Sequence, residues 1–170
     1  MVRLCRQHSH YGSRLDNMSS IDALDRSLLK LLLREPRLGV LETSRRLGIA
    51  RGTAQARLSR LERDGVLRDW SPTVDPSRMG FTVLAFATLE VQQGSGHAAI
   101  AAHLRSIPEV LEAHTTTGQG DLLCRVVARD HADLQRVLDA ITGSGLVSRT
   151  STVVSLTNEI PYRVEQLLVD

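Results

Sequence analysis

The residues best suited to chemistry in this sequence are arginines, and they cluster between positions 44 and 68. That segment holds seven arginines against Glu62 and Asp64, a net charge of +5. Guanidinium groups at this density suit the backbone of a nucleic acid, because each one can neutralise a phosphate charge. The whole chain carries only +2, since residues 1–75 sum to +5 and residues 76–170 sum to −3. The sequence therefore predicts a basic first half and a mildly acidic second half.

A helix predicted over residues 51–64 carries four of these arginines. Its apolar residues Ala54, Leu58 and Leu61 recur at steps of four and three, which is typical of a buried stripe. The rest of its circumference holds the residues that we expect to bind DNA: Arg51, Gly52, Thr53, Gln55, Arg57, Arg60 and Arg63. Such a helix fits the major groove, with Gln55 near base edges and Arg57 and Arg60 nearer phosphates. From charge alone, the alternative is a solvated helix with ordinary surface arginines.

Two shorter helices precede this one. The first begins with Ser20 or Asp22 as its N-cap. It ends before Pro36, because the residue preceding a proline avoids the helical region. The second spans about residues 41–47 and stops at Gly48, which suits a left-handed terminating position. Three short helices with a tight turn before the third are the helix-turn-helix layout.

The periodicity changes from helical to alternating after the third helix. A strand is predicted from Val66 to Trp70, a turn at Ser71-Pro72, and a short return from Val74. We therefore expect a two-stranded ribbon, or wing, that completes a DNA-binding domain over residues 20–75. A linker is predicted over residues 76–80.

The second half of the chain alternates strands and helices. Strands are predicted over 81–91, 110–117, 121–129 and 147–156, and helices over 97–106 and from a cap at Asp130 to Gly143. The order strand-helix-strand-strand-helix-strand is the ferredoxin-like βαββαβ topology, predicted over residues 81–160. The predicted fold class is therefore α+β, with residues 161–170 as a C-terminal tail that can extend the last element, swap between subunits or fray.

The first strand of this second domain is apolar on both sides. One side holds Phe81, Val83, Ala85, Ala87 and Leu89, and the other holds Leu84 and Phe86 between threonines. Helices cover one face of such a sheet, and an apolar second face left in water is unfavourable. We therefore expect a homodimer to cover the second face.

Several classes of protein do not fit this sequence. No apolar run approaches 18 residues, so no transmembrane helix is expected. Residues 1–19 are expected to form a flexible arm, and the first 17 lack the apolar stretch of a secretory signal. Cys5 and Cys124 are too few for a disulfide framework, which favours the cytoplasm. Cys5, His8 and His10 are three candidate metal ligands without a fourth nearby, so we expect no metal site. No nucleophile stands beside a base, so we expect neither a cofactor nor catalysis.

Short motifs stand along the chain in a characteristic order. They are Ile21 to Arg26, Leu47-Gly48-Ile49, Arg57 to Leu67, Asp75-Pro76, Met79-Gly80, Pro108-Glu109-Val110 and Thr117-Gly118. Together they resemble the Lrp/AsnC (feast/famine) transcriptional regulators over about residues 20–160. The resemblance implies a winged helix-turn-helix that binds double-stranded DNA and a ferredoxin-like domain that binds an effector, often an amino acid. It also implies dimers and higher homo-oligomers, such as an octamer.

The third helix departs from the family pattern at two positions. Ala50-Arg51 stands where the family usually has a Ser-Pro-like pair, so the capping serine is absent. Loss of such a cap typically costs about 1 kcal/mol. Ser59 stands where the family often has a basic residue, which predicts one backbone contact fewer.

The loop between the second and third strands of the second domain is the predicted effector site. It holds Gly118, Gln119, Gly120 and Asp121, where the family pattern is glycine, acidic, aromatic, acidic. A glycine-rich turn offers N–H groups to a carboxylate, and Asp121 can pair with an α-ammonium group. Loss of the aromatic at Gly120 is expected to open space, and Thr150 and Thr152 are further candidates for the site. From spacing alone, the alternative is a simple hairpin turn.

The sequence therefore predicts a sequence-specific transcriptional regulator that responds to a small effector. A ligand-independent architectural protein that organises DNA is the main alternative, because the effector loop has lost half of its motif. An enzyme built on the second domain is the weakest interpretation.

Overall fold

A computed structural model describes residues 21–68, 70–94 and 96–169. It divides the chain into two compact units. One holds the described residues up to Pro72 together with those from Tyr162 onward, and the other spans Thr73–Pro161. The described part of the predicted C-terminal tail is thus grouped with the first unit. The predicted N-terminal arm, the Ser20 cap and the group of Cys5, His8 and His10 lie outside the described residues.

Three helices form the first unit: α1 (Ala23–Arg34), α2 (Val40–Leu47) and α3 (Arg51–Arg63). Asp22 caps α1 by accepting the Asp25 N–H at 2.8 Å, while the Asp25 carboxylate accepts the Asp22 N–H at 3.0 Å. Gly48 ends α2 with a φ of 65°, a conformation that glycine adopts without steric cost. The core of the unit is leucine, from Leu28, Leu29, Leu32, Leu58 and Leu61. The predicted helix-turn-helix is confirmed.

The predicted wing strands are not seen among the residues that the structure describes. No described residue between 64 and 82 lies in a strand. The reason is local, because the N–H groups of Val66 and Leu67 both donate to the Leu61 carbonyl at the end of α3. This closing turn takes up the N–H groups that a strand ladder would need. Trp70 instead lies near α3, where its indole N–H donates to Glu62 at 2.9 Å.

The C-terminal segment packs on the helical unit. It forms a single 3-10 turn at Glu165–Leu167, and Leu168 lies against the leucine core. The Glu165 carboxylate accepts a hydrogen bond from Arg34 of α1 at 2.7 Å.

The second unit is a four-stranded sheet with two helices. In chain order these are β1 (Val83–Val91), α4 (His97–Arg105), β2 (Val110–Thr115), β3 (Leu122–Ala128), α5 (His131–Thr142) and β4 (Val147–Ser155). The sheet order is β2-β3-β1-β4, with every neighbouring pair antiparallel. Asp130 caps α5 by accepting the Asp133 N–H at 2.8 Å. This is the predicted βαββαβ arrangement.

The two faces of the sheet differ in burial. Val83, Ala85, Ala87 and Leu89 of β1 are buried together with Ile100 and Leu104 of α4 and Leu134, Val137 and Ile141 of α5. On the opposite face Phe86 of β1 is half-buried, and its partner Val153 of β4 is 63% exposed. The open face is therefore apolar near its centre, as the alternation along β1 predicts. In the part of the chain that the structure describes, no helix is long and apolar enough to cross a membrane.

Candidate nucleic-acid interface and effector loop

Helix α3 separates a buried side from an exposed side as its spacing predicts. Ala54, Leu58 and Leu61 are buried against the rest of the helical unit. Five of the seven predicted contact residues are exposed: Arg51, Gly52, Thr53, Gln55 and Arg63. Ala50 occupies the N-cap and makes no side-chain cap hydrogen bond, so the first turn lacks the serine oxygen that usually serves there.

The outermost line of α3 is made of small residues. Gly52, Ala56 and Ser59 follow one another at steps of four and three, and all three are exposed. Gln55 lies beside this line, and its amide donates to the Ser59 hydroxyl at 3.3 Å. The same spacing rule that identifies the buried stripe could have identified Ala56 as part of the outward face. Small side chains along this line leave the helix backbone open to close approach by a partner.

Arg57 and Arg60 have partners inside the protein. The Arg57 guanidinium group donates to two carboxylates, that of Asp22 and, at 3.0 Å, that of Asp25. Arg60 donates to the other oxygen of Asp25, whose side chain is fully buried. In the structure both guanidinium groups join α3 to the N-terminus of α1, a role that the expected contact with phosphates does not include. A sequence does not reveal this pairing, because the partners lie 32 to 35 positions apart.

Asp22, Asp25, Arg57 and Arg60 form an ion-pair cluster, in which Asp22 and Arg57 shift each other's pKa. The hydrogen bond from Arg57, helped by the Asp25 N–H, lowers the pKa of Asp22 to about 2. Hydrogen bonds to Asp22 and then Asp25 raise the pKa of Arg57 above its usual value. The Asp22–Arg57 pair is therefore charged at neutral pH, and its two charges cancel.

The positive charge left for a partner lies elsewhere on the helical unit. Arg46 is held by Glu35 at 2.8 Å and by Glu42 at 3.2 Å. Arg51 and Arg68, by contrast, form no ion pair with any residue that the structure describes. Arg51 is exposed and stands at the start of α3, so its charge is directed to solvent beside the line of small residues.

The predicted effector loop is a tight turn fixed to β1. Thr116 closes it, because its N–H donates to the Asp121 carbonyl at 3.0 Å and its hydroxyl to the Gly120 carbonyl at 3.1 Å. Gly118 has a φ of 111°, which disfavours any residue with a side chain. The Asp121 N–H donates to the Leu89 carbonyl at 2.9 Å. Gln119 is exposed at the tip.

The Asp121 carboxylate already has one protein partner. One of its oxygens accepts the Val91 N–H at 2.7 Å. The register of β1 with β4 shifts between Glu90 and Val91, so Val91 lies at an irregularity of the ladder. Asp121 thus stabilises the end of β1. Any role in binding a ligand falls to the remaining lone pairs of the carboxylate.

Gly120 does not open the space that loss of an aromatic residue is expected to open. A Cβ placed on Gly120 would lie 2.3 Å from the Thr88 methyl carbon and 3.3 Å from the Leu89 carbonyl oxygen. The glycine lets the loop lie directly on β1, and Thr88 fills the place where a side chain would begin.

A cavity of about 430 Å³ lies beside this loop on the open face of the sheet. Its lining is polar and comes from Thr88, Glu90, Gln119, Arg149 and Ser151. Arg149 and Glu90 face each other at 3.9 Å. The cavity joins one predicted loop residue, Gln119, to four residues that the sequence does not single out.

The threonines suggested for this site lie on the other face. Thr150 is paired with the buried Leu89, and Thr152 with the buried Ala87, so both point to the helix-covered side. Their neighbours Arg149 and Ser151 line the cavity instead. Residues on a strand alternate between faces, and a choice between the two sets needs the register of β4, which one sequence does not supply.

Two family models match the chain in the order of its two units. A winged helix-turn-helix DNA-binding model matches residues 21–68, and the Lrp/AsnC ligand binding domain matches residues 82–164. The HTH-type transcriptional regulator FL11 of Pyrococcus abyssi is 30% identical over 149 residues, which cover 85% of this chain and 98% of that protein. The chain belongs to the Lrp/AsnC family.

Two solved structures show how far the Lrp/AsnC fold extends. The structure of Escherichia coli AsnC has a TM-score of 0.79 at 26% identity, covering 86% of this chain and 99% of that one. The feast or famine regulatory protein of M. tuberculosis, complexed with L-methionine, has a TM-score of 0.77 at 26% identity, covering 85% of this chain and 98% of that one. This Lrp/AsnC chain is a transcriptional regulator with a helix-turn-helix for DNA and a ligand-binding domain.

Proposed function

We propose that this protein is a cytoplasmic, sequence-specific regulator that reads duplex DNA with α3 and responds to an amino acid bound beside the Gly118–Asp121 loop. One observation carries the DNA-binding half of this proposal. From Gly52 to Ser59 the outer line of α3 is small and uncharged, and it ends at the exposed Arg63. Exposed basic and amide side chains flank it. That arrangement matches a helix whose backbone approaches the floor of the major groove while its flanks reach the phosphates.

The roles within α3 follow from the positions of its side chains. Thr53 and Gln55 lie in the first turns, where a recognition helix contacts base edges, and an amide can bind adenine through two hydrogen bonds. Arg51 and Arg63 stand at the two ends of the helix and contact phosphates on either side of the groove. Gly52 permits close approach. Phosphate contacts supply affinity and register, whereas Gln55 supplies sequence preference.

A binding titration tests this division of labour. A labelled duplex selected from a random pool and an unrelated duplex are titrated by fluorescence anisotropy at several salt concentrations. Arg51→Gln is expected to weaken binding to both duplexes alike and to reduce the salt slope by about 0.9, because one phosphate contact is lost. Gln55→Ala is expected to weaken only the selected duplex. Equal losses on both duplexes from both changes would contradict the assignment.

The effector half of the proposal depends on the polar cavity beside the loop. A free amino acid carries a carboxylate and an ammonium group, and the cavity offers Arg149 for the first and Glu90 for the second. The loop adds the N–H groups of its glycine-rich turn and the remaining lone pairs of Asp121. The M. tuberculosis relative complexed with L-methionine supports an amino acid as the ligand class.

An architectural protein that ignores ligands is the second candidate, and two features of the loop favour it. Thr88 fills the space at Gly120, and one oxygen of Asp121 already accepts a hydrogen bond from the Val91 N–H. A thermal-shift screen over the twenty common amino acids separates the two candidates. A ligand that binds only the folded protein raises its melting temperature, so a sensor shows at least one stabilising amino acid. No shift at millimolar concentrations of any of them would favour the architectural role.

The open face of the sheet is the proposed dimer interface. Phe86 and Val153 lie opposite each other near its centre, and a second copy of the chain would remove both from water. Assembly of such dimers into a larger ring, such as an octamer, would bring several α3 helices onto one DNA segment. This assembly would raise avidity without any further protein–DNA contact.

A further inference from the structure

The ion-pair cluster that joins α1 to α3 has an inner and an outer carboxylate. The Asp25 side chain is 0% exposed, and those of Arg57 and Arg60 are 28% and 30% exposed. Asp22 is the outer member, with 47% of its side chain exposed. The two acids therefore serve the cluster differently.

Asp25 is the structural member of the pair. Its oxygens accept hydrogen bonds from Arg57 at 3.0 Å, from Arg60, and from the Asp22 N–H at 3.0 Å. A buried carboxylate needs such partners, because desolvation without them is costly. Asp25 thus sets the position of α3 against α1 through two arginines on successive turns.

Asp22 adds a second carboxylate to an arginine that already has one. One oxygen of Asp22 caps α1 by accepting the Asp25 N–H, and the other accepts the hydrogen bond from Arg57. The cap therefore does not depend on the bond to Arg57. If a side chain with an uncharged oxygen replaces Asp22, α1 can stay capped and Arg57 stays bonded to Asp25.

Arg57 stands where its guanidinium group, without the bond to Asp22, can meet DNA while it stays bonded to Asp25. It follows Thr53 by four residues, so the two share one flank of α3, and Thr53 is exposed on that flank. The bond to Asp22 withholds the Arg57 charge from this flank. The carboxylate of Asp22 also presents negative charge to any phosphate that approaches.

We propose that Asp22 limits the affinity of this protein for DNA of arbitrary sequence by holding the Arg57 guanidinium group away from the phosphate backbone. The inference rests on the proposed DNA-binding role of α3 and extends it. Phosphate contacts strengthen binding to all sequences alike, so a weaker phosphate contribution lowers the fraction of the protein that is held on DNA of arbitrary sequence. Asp22 is in this sense a positioning residue for DNA affinity, acting through Arg57.

The test uses the full chain and a random-sequence duplex of about 30 base pairs. Asp22→Ser keeps an oxygen that can cap α1 and removes the charge, and Asp22→Asn serves as a second uncharged variant. Both are expected to bind the duplex about fivefold more tightly at 0.1 M salt, with a salt slope steeper by about 0.9, because one more phosphate is neutralised. Arg57→Gln alone is expected to weaken binding, but less than Arg51→Gln does, because it exposes the Asp22 charge without removing a phosphate contact. The Asp22→Ser/Arg57→Gln double variant is expected to lose the gain.

A matched control separates this effect from net charge. Glu42→Gln also removes one carboxylate beside an arginine of the helical unit, Arg46, and should change affinity much less. Equal gains from Glu42→Gln and Asp22→Ser would overturn the proposal, as would a gain that survives in the double variant. So would a loss in Arg57→Gln as large as that in Arg51→Gln, since Arg57 would then already contact phosphate. If the wild-type protein binds no duplex, the proposed DNA-binding role fails as well, whereas binding without a gain in either Asp22 variant refutes only the role of Asp22.

Discussion

Gly120 lies against Thr88 so closely that a Cβ on the glycine would be 2.3 Å from the threonine methyl carbon. Real Cβ atoms essentially never approach a heavy atom so closely, so any side chain at this position must displace Thr88 or lift the loop from β1. The contact links the predicted effector loop to β1, the strand that contributes Thr88 and Glu90 to the cavity.

Gly120→Ala is expected to destabilise the protein by about 1 kcal/mol or more, because overpacking forces side chains or backbone to shift. Urea denaturation measures the loss. Thr88→Ser removes the methyl carbon and keeps the hydroxyl, so the Gly120→Ala/Thr88→Ser double variant should recover much of the stability. A double variant no more stable than Gly120→Ala would place the strain elsewhere in the loop.

Asp121 supports both stability and, as proposed, ligand binding, and two substitutions separate these roles. Asp121→Ala removes the acceptor of the Val91 N–H and should cost about 1 kcal/mol, a typical net value for one hydrogen bond. Asp121→Asn keeps an acceptor oxygen and should cost less. Both should reduce the thermal shift produced by an amino acid, because neither retains the negative charge that Asp121 adds to that of Glu90 in pairing with ammonium. An unchanged shift in Asp121→Asn would assign the ammonium group to Glu90 alone.

The Asp22–Arg57 pair predicts how acid affects stability. The folded-state pKa of Asp22 is about 2, below the value of 3.8 for an unperturbed aspartate. A lowered pKa contributes stability that is fully present above pH 4 and is lost as the pH falls towards 2. The lowered pKa values of Asp75 and Asp133, which accept hydrogen bonds from Ser77 and from the Arg129 N–H respectively, act in the same direction.

Urea midpoints measured between pH 5 and pH 2 test this prediction. Asp22→Asn should flatten the fall in stability over that interval, and Arg57→Gln should flatten it by a similar amount, because Arg57 is the main cause of the lowered pKa. Identical pH profiles for wild type and both variants would show that the pair contributes nothing in solution.

Val153→Asp should disrupt the proposed dimer, because it places a charge at the centre of the open face. Light scattering coupled to size-exclusion chromatography measures the mass of the assembly. Leu156→Asp is the matched control, since Leu156 is 95% exposed and follows the end of β4. The expected outcome is a smaller assembly for Val153→Asp and an unchanged one for Leu156→Asp. An unchanged mass in both variants would move the interface to another surface.

Local patterns in the sequence predict the elements of this fold well. Helix α3 is predicted over residues 51–64 and observed over Arg51–Arg63, because apolar spacing and the following Gly65 both act within one or two turns. The order of strands and helices in the second unit follows for the same reason. In the described residues after α3 no wing strand forms, because alternation over a few residues competes with the turn in which the Val66 and Leu67 N–H groups donate to the Leu61 carbonyl.

Long-range partners explain what the sequence leaves undetermined at the two sites. Spacing distinguishes the inner from the outer side of α3, but it does not tell that Arg57 and Arg60 meet Asp25, which lies more than 30 positions away. The same limit applies to β4, where the choice between Thr150 and Ser151 for the cavity depends on pairing with β1. Tertiary contacts decide both cases.

The uncapped start of α3 links DNA binding to the order of the helix itself. Ala50 stands at the N-cap and has no side-chain oxygen that could accept the first N–H groups of α3. Those donors, with the positive end of the helix dipole, form a ready site for an anion. In the proposed complex with duplex DNA that anion would be a phosphate, so the nucleic acid would supply the cap that the protein omits. The first turn of α3 would then be most firmly structured at the moment when its residues contact the bases.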